Sequence, residues 1–269
     1  MNPSAPSINI SDLNYNFPDG SCALENIDLH LPPGSRTLLI GANGAGKTTL
    51  LRLMSGKRLA PSGSILIGGV DPFKTGLEGV TYLGMEWVLN PIVRNDIYVS
   101  ELLSSVGGGY YPERRDQLVR ILDIDVNWRM HAVSDGERRR VQLAMGLLRP
   151  WSILLLDEVT VDLDVLARAR FLQFLKEETE TRACTVVYAT HILESAGAWA
   201  THLVRVTLGK VRYYGETQEV IKREGGFGLL EVVLKWLEED LIERGPRGGK
   251  VSEAVSYSDV TKVELNIQV

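Results

Sequence analysis

The stretch Gly41-Ala42-Asn43-Gly44-Ala45-Gly46-Lys47-Thr48-Thr49 leaves the chain little freedom in what it folds into. Its glycines, lysine and threonine follow the spacing G-x-x-x-x-G-K-[ST], a loop that cradles phosphate. Arg36-Thr37-Leu38-Leu39-Ile40 just before it reads as a short buried strand, and Leu50-Leu51-Arg52-Leu53-Met54 just after it continues as a helix. Glycines let such a backbone curl until its N–H groups point at phosphate oxygens, and the helix N-terminus adds positive dipole. Lys47, read as a surface-loop charge, would reach the β- and γ-phosphates of a nucleotide. The Thr48 hydroxyl would ligate Mg²⁺.

The rest of the composition is that of a globular protein. The chain has 269 residues, 44% hydrophobic and 23% charged, with a net charge of −5. That length supports one large domain or two small ones, and that charge makes direct nucleic-acid binding unexpected. The main basic run, Arg138-Arg139-Arg140, lies on an expected helix and reads as a solvated face. Cys22 and Cys184 match no metal spacing and read as reduced, structural thiols of a cytosolic protein. Met1 to Ser11 shows no signal-peptide pattern, and no apolar run approaches the ~20 residues that span a bilayer.

Along the chain, Ser7–Tyr15, Ala23–Leu31, Ser64–Ile67 and Val80–Leu83 are further expected strands. Ile27, Leu29 and Leu31 alternate with Asp28 and His30, so one face is buried and one wet. Helices are expected at Val99–Val106, Pro112–Leu122 and Gly136–Leu148, as an inserted helical subdomain of about residues 97–149. Then come a strand at Ser152–Asp157, a helix at Leu163–Thr179 and a strand at Thr185–Thr190. Strands alternating with helices imply an α/β fold with a mostly parallel sheet covered on both faces. The domain is expected over residues 7–224, followed by a helix-plus-strand extension over 225–269. In the extension, Leu230, Val233, Leu234, Leu237 and Leu241 share a helix face. Val263, Leu265, Ile267 and Val269 alternate as in a final strand.

Ile153-Leu154-Leu155-Leu156-Asp157-Glu158 is an apolar strand that ends in two carboxylates. If it ends at the phosphate loop, Asp157 meets Mg²⁺ or its water and Glu158 acts on the attacking water. Val133-Ser134-Asp135-Gly136-Glu137 opens a helix. Locally it is a capping box of Ser134 with Glu137; it is also a second anion site, with free N–H groups and a glycine that allows close approach.

Together these motifs resemble the ATP-binding cassette (ABC) ATPases, over about residues 7–220. The resemblance implies a P-loop NTPase cassette with a mostly parallel core sheet, an antiparallel β subdomain and the helical insertion. The family's signature Leu-Ser-Gly-Gly-Gln, which binds the γ-phosphate held by a partner subunit, is matched at Ser134 and Gly136 and departed from at Asp135 and Glu137. Leu163 and Asp164 match its D-loop, and His191 its switch histidine. Asn14-Tyr15-Asn16-Phe17-Pro18 resembles the loop that stacks on adenine, with Phe17 first and Tyr15 second. The resemblance implies ATP hydrolysis with Mg²⁺. Lys47, Glu158 and His191 are then catalytic, and Thr48, Asp157 and Glu86 are candidates at the metal. The nucleotide is held by Phe17, Gly41, Asn43, Gly44, Ala45, Gly46, Lys47, Thr48, Thr49, Ser134, Gly136 and Asp164. With one cassette present, a second must come from another chain, leaving homodimer and heterodimer open.

The family's glutamine loop is rewritten as Tyr82-Leu83-Gly84-Met85-Glu86-Trp87, without glutamine. This departure, with Val-Ser-Asp-Gly-Glu-Arg-Arg-Arg and Asp-Glu-Val-Thr-Val-Asp-Leu-Asp, resembles the soluble, membrane-domain-free members of fungi and plants of the CCR–NOT-associated type. That implies a regulatory or assembly role in a soluble complex of transcription or mRNA, in the cytoplasm or also the nucleus. The rival reading is the ATPase subunit of a transporter whose membrane domains are encoded separately.

Overall fold

The computed structural model describes residues 4–73, 78–84, 91–193, 196–225 and 228–245. In chain order the elements are β1 (Ile8–Asn16), β2 (Cys22–Leu31), β3 (Arg36–Ile40), α1 (Lys47–Met54), β4 (Ser62–Ile67) and β5 (Val80–Leu83). Three helices follow, α2 (Val99–Ser105), α3 (Pro112–Ile121) and α4 (Asp135–Leu147), in the stretch expected to be a helical insertion. The chain continues through β6 (Ile153–Asp157), α5 (Val165–Thr181), β7 (Thr185–Ala189), α6 (Ala196–Trp199), β8 (His202–Thr207), β9 (Lys210–Glu216), α7 (Thr217–Glu224) and α8 (Leu229–Arg244).

A six-stranded sheet runs β5-β6-β7-β3-β8-β9, parallel except for the antiparallel last pair. A smaller antiparallel sheet runs β2-β1-β4. The fold is thus the expected cassette, a mostly parallel sheet with an antiparallel one beside it. The continuous apolar runs of β3 and β6 follow from burial on both faces. Leu38, Ile40, Leu154 and Leu156 enter the core beneath the helices; Leu39, Ile153 and Leu155 enter the core shared with α1 and the smaller sheet.

This topology assembles one edge. Parallel strands carry their C-terminal ends to the same side, and β6, β7 and β3 are adjacent. Asp157 pairs with Ala189, which in turn pairs with Leu39. The loops after β3, β6 and β7 therefore leave side by side, although they lie far apart in sequence.

Three expectations change. The Arg138-Arg139-Arg140 run is not a solvated face: Arg138 and Arg139 are buried, and each of the three is anchored differently. Arg138 donates to the Met130 carbonyl and pairs with Asp135. Arg139 reaches the Gly84 carbonyl and Asp162. Arg140 pairs with Asp123 and Asp164. Neighbouring residues on a helix point about 100° apart, so a run of arginines on α4 fans out to separate partners around the helix.

The second change is on α8. Its inward row is Leu229, Val232, Val233, Trp236 and Asp240, while Leu230, Leu234 and Leu241 are 55%, 52% and 56% exposed. Of the expected leucine face, Val233 is buried and Leu237 packs partly against the core. Trp236 and the Arg205–Asp240 ion pair (2.7 Å) set this rotation. The third change is an addition: the hairpin β8–β9, turning at Leu208-Gly209, completes the sheet where no strand was expected. The expected final strand at Val263–Val269 lies outside the described residues. No helix among the described residues is long and apolar enough to cross a membrane.

Candidate functional site

The phosphate loop joins β3 to α1 with no room for side chains at its ends. A Cβ on Gly41 would stand 2.0 Å from the Val206 carbonyl oxygen. At Gly46, which precedes the helix with φ +108°, it would stand 2.7 Å from Leu24. Larger residues are excluded at both positions, at Gly46 by backbone conformation as well. Lys47 is not the surface charge expected: it is buried, and its Nζ donates to the carbonyls of Gly41 (2.7 Å) and Ala42 (3.1 Å). Burial lowers its pKa, opposed by the charges of Glu158 and Asp157. The ammonium is therefore held inside the loop, facing the two carboxylates.

A cavity of about 390 Å³ opens on this loop, lined by Asn43, Gly44, Gly46, Lys47, Thr48, Thr49, Asp157 and Glu158 together with Phe17, Cys22 and Ala23. Its size suits a nucleotide-sized ligand. Asp157 is buried at the end of β6. Glu158 follows with φ +54°, in the left-handed region that costs a non-glycine residue ~1–3 kcal/mol. The turn is held by the Glu158 N–H donating to the Ala189 carbonyl. It swings the carboxylate toward the strand β7 exit, where Glu158 Oε2 lies 2.9 Å from His191 Nδ1. The His191 backbone N–H also donates to that oxygen.

Thr48 and Asp157 offer a hydroxyl and a carboxylate on one cleft. Hard oxygen donors of this kind, with phosphate and water, suit Mg²⁺. The third metal candidate, Glu86, lies outside the described residues, as does the rest of Met85-Glu86-Trp87.

Phe17 stands in the turn after β1, its N–H donating to the Ser21 carbonyl. Tyr15 meets it edge to face at 5.9 Å and holds Arg58 through its hydroxyl (3.0 Å). Arg58 also covers the Phe17 ring at 5.6 Å. Phe17 therefore lines the cavity, and Tyr15 packs behind it against the core. Phe17→Ala is expected to weaken ATP binding by ~1–3 kcal/mol, the loss of one base–aromatic stack, and to leave inorganic triphosphate binding unchanged. Paired titrations with the two ligands check it; equal loss of both would remove the stacking role.

The remaining candidates are set apart from this cleft. Ser134 caps α4, and Glu137 Oε2 accepts from both its N–H and its hydroxyl at 2.7 Å, which holds the Glu137 carboxyl below its usual range. Gly136 lies against the D-loop, where a Cβ would meet the Asp162 carbonyl at 3.0 Å. Asp164 caps α5 by accepting from the Ala167 N–H, which lowers its pKa, and it pairs with Arg140. Ser134, Gly136 and Asp164 are not part of the phosphate-loop cavity as described.

The sequence reading missed Cys22 and Ala23 in the cavity wall. Cys22 is exposed there, unlike Cys184, which is buried in the core with its thiol pushed up to about 12. Their only sequence signal was nearness to Phe17 across the Pro18-Asp19-Gly20 turn.

Residues 24–161 match a family model described as ABC transporter. The chain is 51% identical over 222 residues to CCR4-associated factor 16 of Saccharomyces cerevisiae, covering 76% of this chain and 77% of that protein. It is 40% identical over 267 residues to ABC transporter I family member 20 of Arabidopsis thaliana, covering 90% of this chain and 79% of that one. A solved dimeric ATP-binding cassette, in a post-hydrolysis state bound to ADP and Pi, is similar with a TM-score of 0.64 over 78% of this chain and 98% of that one. At 19% identity that likeness is one of fold.

Proposed function

This chain belongs to the ABC transporter family of ATP-hydrolysing cassettes, and on that premise we propose that it works as a soluble MgATP-driven switch. Two cassettes meet head to tail, so that the phosphate loop of one faces Ser134 and Gly136 of the other. Lys47 and the loop N–H groups hold the phosphates, and Thr48 and Asp157 hold Mg²⁺. Glu158 takes the proton of the attacking water, and His191 contacts the γ-phosphate. Bound ATP closes the pair, and hydrolysis with product release reopens it. The motion serves a regulatory or assembly step in a soluble complex, a reading supported by the likeness to CCR4-associated factor 16 of yeast.

The observation that supports this most is the convergence at one cleft of the phosphate loop with a carboxylate that already engages a histidine, Glu158 with His191 at 2.9 Å. A second reading keeps the chemistry and seats the cassette on a separately encoded membrane protein; the transporter names of the family model and of the Arabidopsis relative favour it. Fractionation of a lysate without detergent, followed by sedimentation with a non-hydrolysable ATP analogue and Mg²⁺, separates the two. The switch reading expects the protein in the supernatant and a nucleotide-dependent dimer. Release only by detergent, together with a multi-span protein, would establish the transporter subunit instead.

A further inference from the structure

We propose that Tyr82 is a positioning residue for Asp157: its phenol fixes the carboxylate in the orientation that binds Mg²⁺ and so sets the metal affinity of the site. The inference rests on the reading of Asp157 as a metal ligand. Tyr82 stands on β5 and pairs with Leu155 of β6. Paired residues of neighbouring strands share a face, and so do residues two apart on one strand. The Tyr82 side chain is therefore on the same face as Asp157, one diagonal step along the sheet, within the reach of a tyrosine. Its hydroxyl lies 3.2 Å from Asp157 Oδ2, as the donor.

The direction of that hydrogen bond is set by the surroundings. Tyr82 also has a side-chain hydrogen bond with Arg52 of α1. A guanidinium only donates, so the phenol oxygen accepts from Arg52 and its single proton is left for Asp157. The Lys57 ammonium stands 4.6 Å from the centroid of the Tyr82 ring. Donors linked in series polarise one another, which strengthens the last bond of the chain. Space is reserved as well: a Cβ on Gly84 would come within 2.7 Å of the Tyr82 hydroxyl. With Oδ2 held by the phenol, the carboxylate presents Oδ1 to a metal or its water. Groups that orient a ligand in this way typically contribute 10–100-fold to metal affinity.

The test uses Tyr82→Phe, which removes one oxygen and keeps the ring, and Gly84→Ala, which keeps the tyrosine and displaces its hydroxyl. A fluorescent ATP analogue gives the affinity without metal, in EDTA, and the Mg²⁺ concentration at half effect. Paramagnetic resonance of Mn²⁺ in the ATP complex reports metal binding directly. Both variants are expected to need about 10–100-fold more Mg²⁺, to bind Mn²⁺ correspondingly more weakly, and to keep metal-free ATP affinity within about twofold. In an Asp157→Asn background, Tyr82→Phe should add little, because both act through the same contact. An unchanged Mg²⁺ requirement in Tyr82→Phe overturns the proposal. So does equal loss of metal-free and metal-dependent binding, which would make Tyr82 a support of the cleft as a whole. Parent protein that binds no ATP under either condition would instead overturn the nucleotide-site reading beneath it.

Discussion

Glu158→Gln is expected to bind MgATP as the parent does and to hydrolyse it about 10²–10⁴-fold more slowly, the usual contribution of a positioned general base. Glutamine keeps the length and shape of the side chain, and its oxygen still accepts from the His191 N–H, so the contact at Glu158 Oε2 has a substitute. What is lost is the capacity to take a proton. The left-handed turn at Glu158 belongs to the backbone, held by the Ala189 carbonyl and by the end of β6 beside β7, and does not depend on the charge. Single-turnover hydrolysis measures the chemical step apart from product release. A rate within about tenfold of the parent would show that another group activates the water. With hydrolysis stalled, nucleotide accumulates in the site, and sedimentation in saturating MgATP is expected to show a stable pair of cassettes. Monomers alone under those conditions would argue for a different partner chain.

Lys47→Ala is expected to abolish tight ATP binding. Hydrogen bonds to charged groups contribute about 1.5–3 kcal/mol each, so losing two phosphate contacts weakens affinity by roughly a hundredfold or more. The buried ammonium also interacts with the charges of Asp157 and Glu158, and its removal takes that positive charge out of the cleft that anionic phosphate enters. The loop itself should keep its path. The Lys47 bonds run to the carbonyls of Gly41 and Ala42, both partly exposed, so water can replace the ammonium. Isothermal titration with ATP and a thermal melt of the same sample separate the two effects. Full-strength ATP binding by the variant would refute the phosphate-loop assignment. A collapsed melt would show that the lysine holds the loop rather than the ligand.

Much of the site was legible because its signals are local. A phosphate loop is a run of glycines followed by a lysine and a threonine, each required by the backbone or by phosphate at its own position. The carboxylates at Asp157 and Glu158 stood out because a fully apolar strand ends on them. Burial on both faces of one sheet gives such a run whatever packs on each face. His191 had less local signal; its assignment came from family resemblance, and its contact with Glu158 exists because β6 and β7 are adjacent.

Groups that matter through packing were not legible. Cys22 and Ala23 sit in the cavity wall because the smaller sheet folds over the phosphate loop, a contact across more than twenty positions of sequence. The arginines of α4 looked like a solvated charge run because their partners, Gly84, Asp123, Asp162 and Asp164, lie in other loops. The leucines of α8 suggested one face, but Trp236, and Asp240 paired with Arg205 of β8, turned another inward.

The sequence by itself determined the element types as far as β7, the α/β class, and the loop and acidic strand from which the cleft is built. These depend on periodicity, backbone freedom and side-chain type over a few neighbouring residues. The tertiary structure alone decided which strand ends stand side by side, which face of α8 is buried, and that the Tyr82 hydroxyl reaches the Asp157 carboxylate. Those facts are set by strand order and register, by contacts whose partners are dozens of residues apart and leave no local pattern to read.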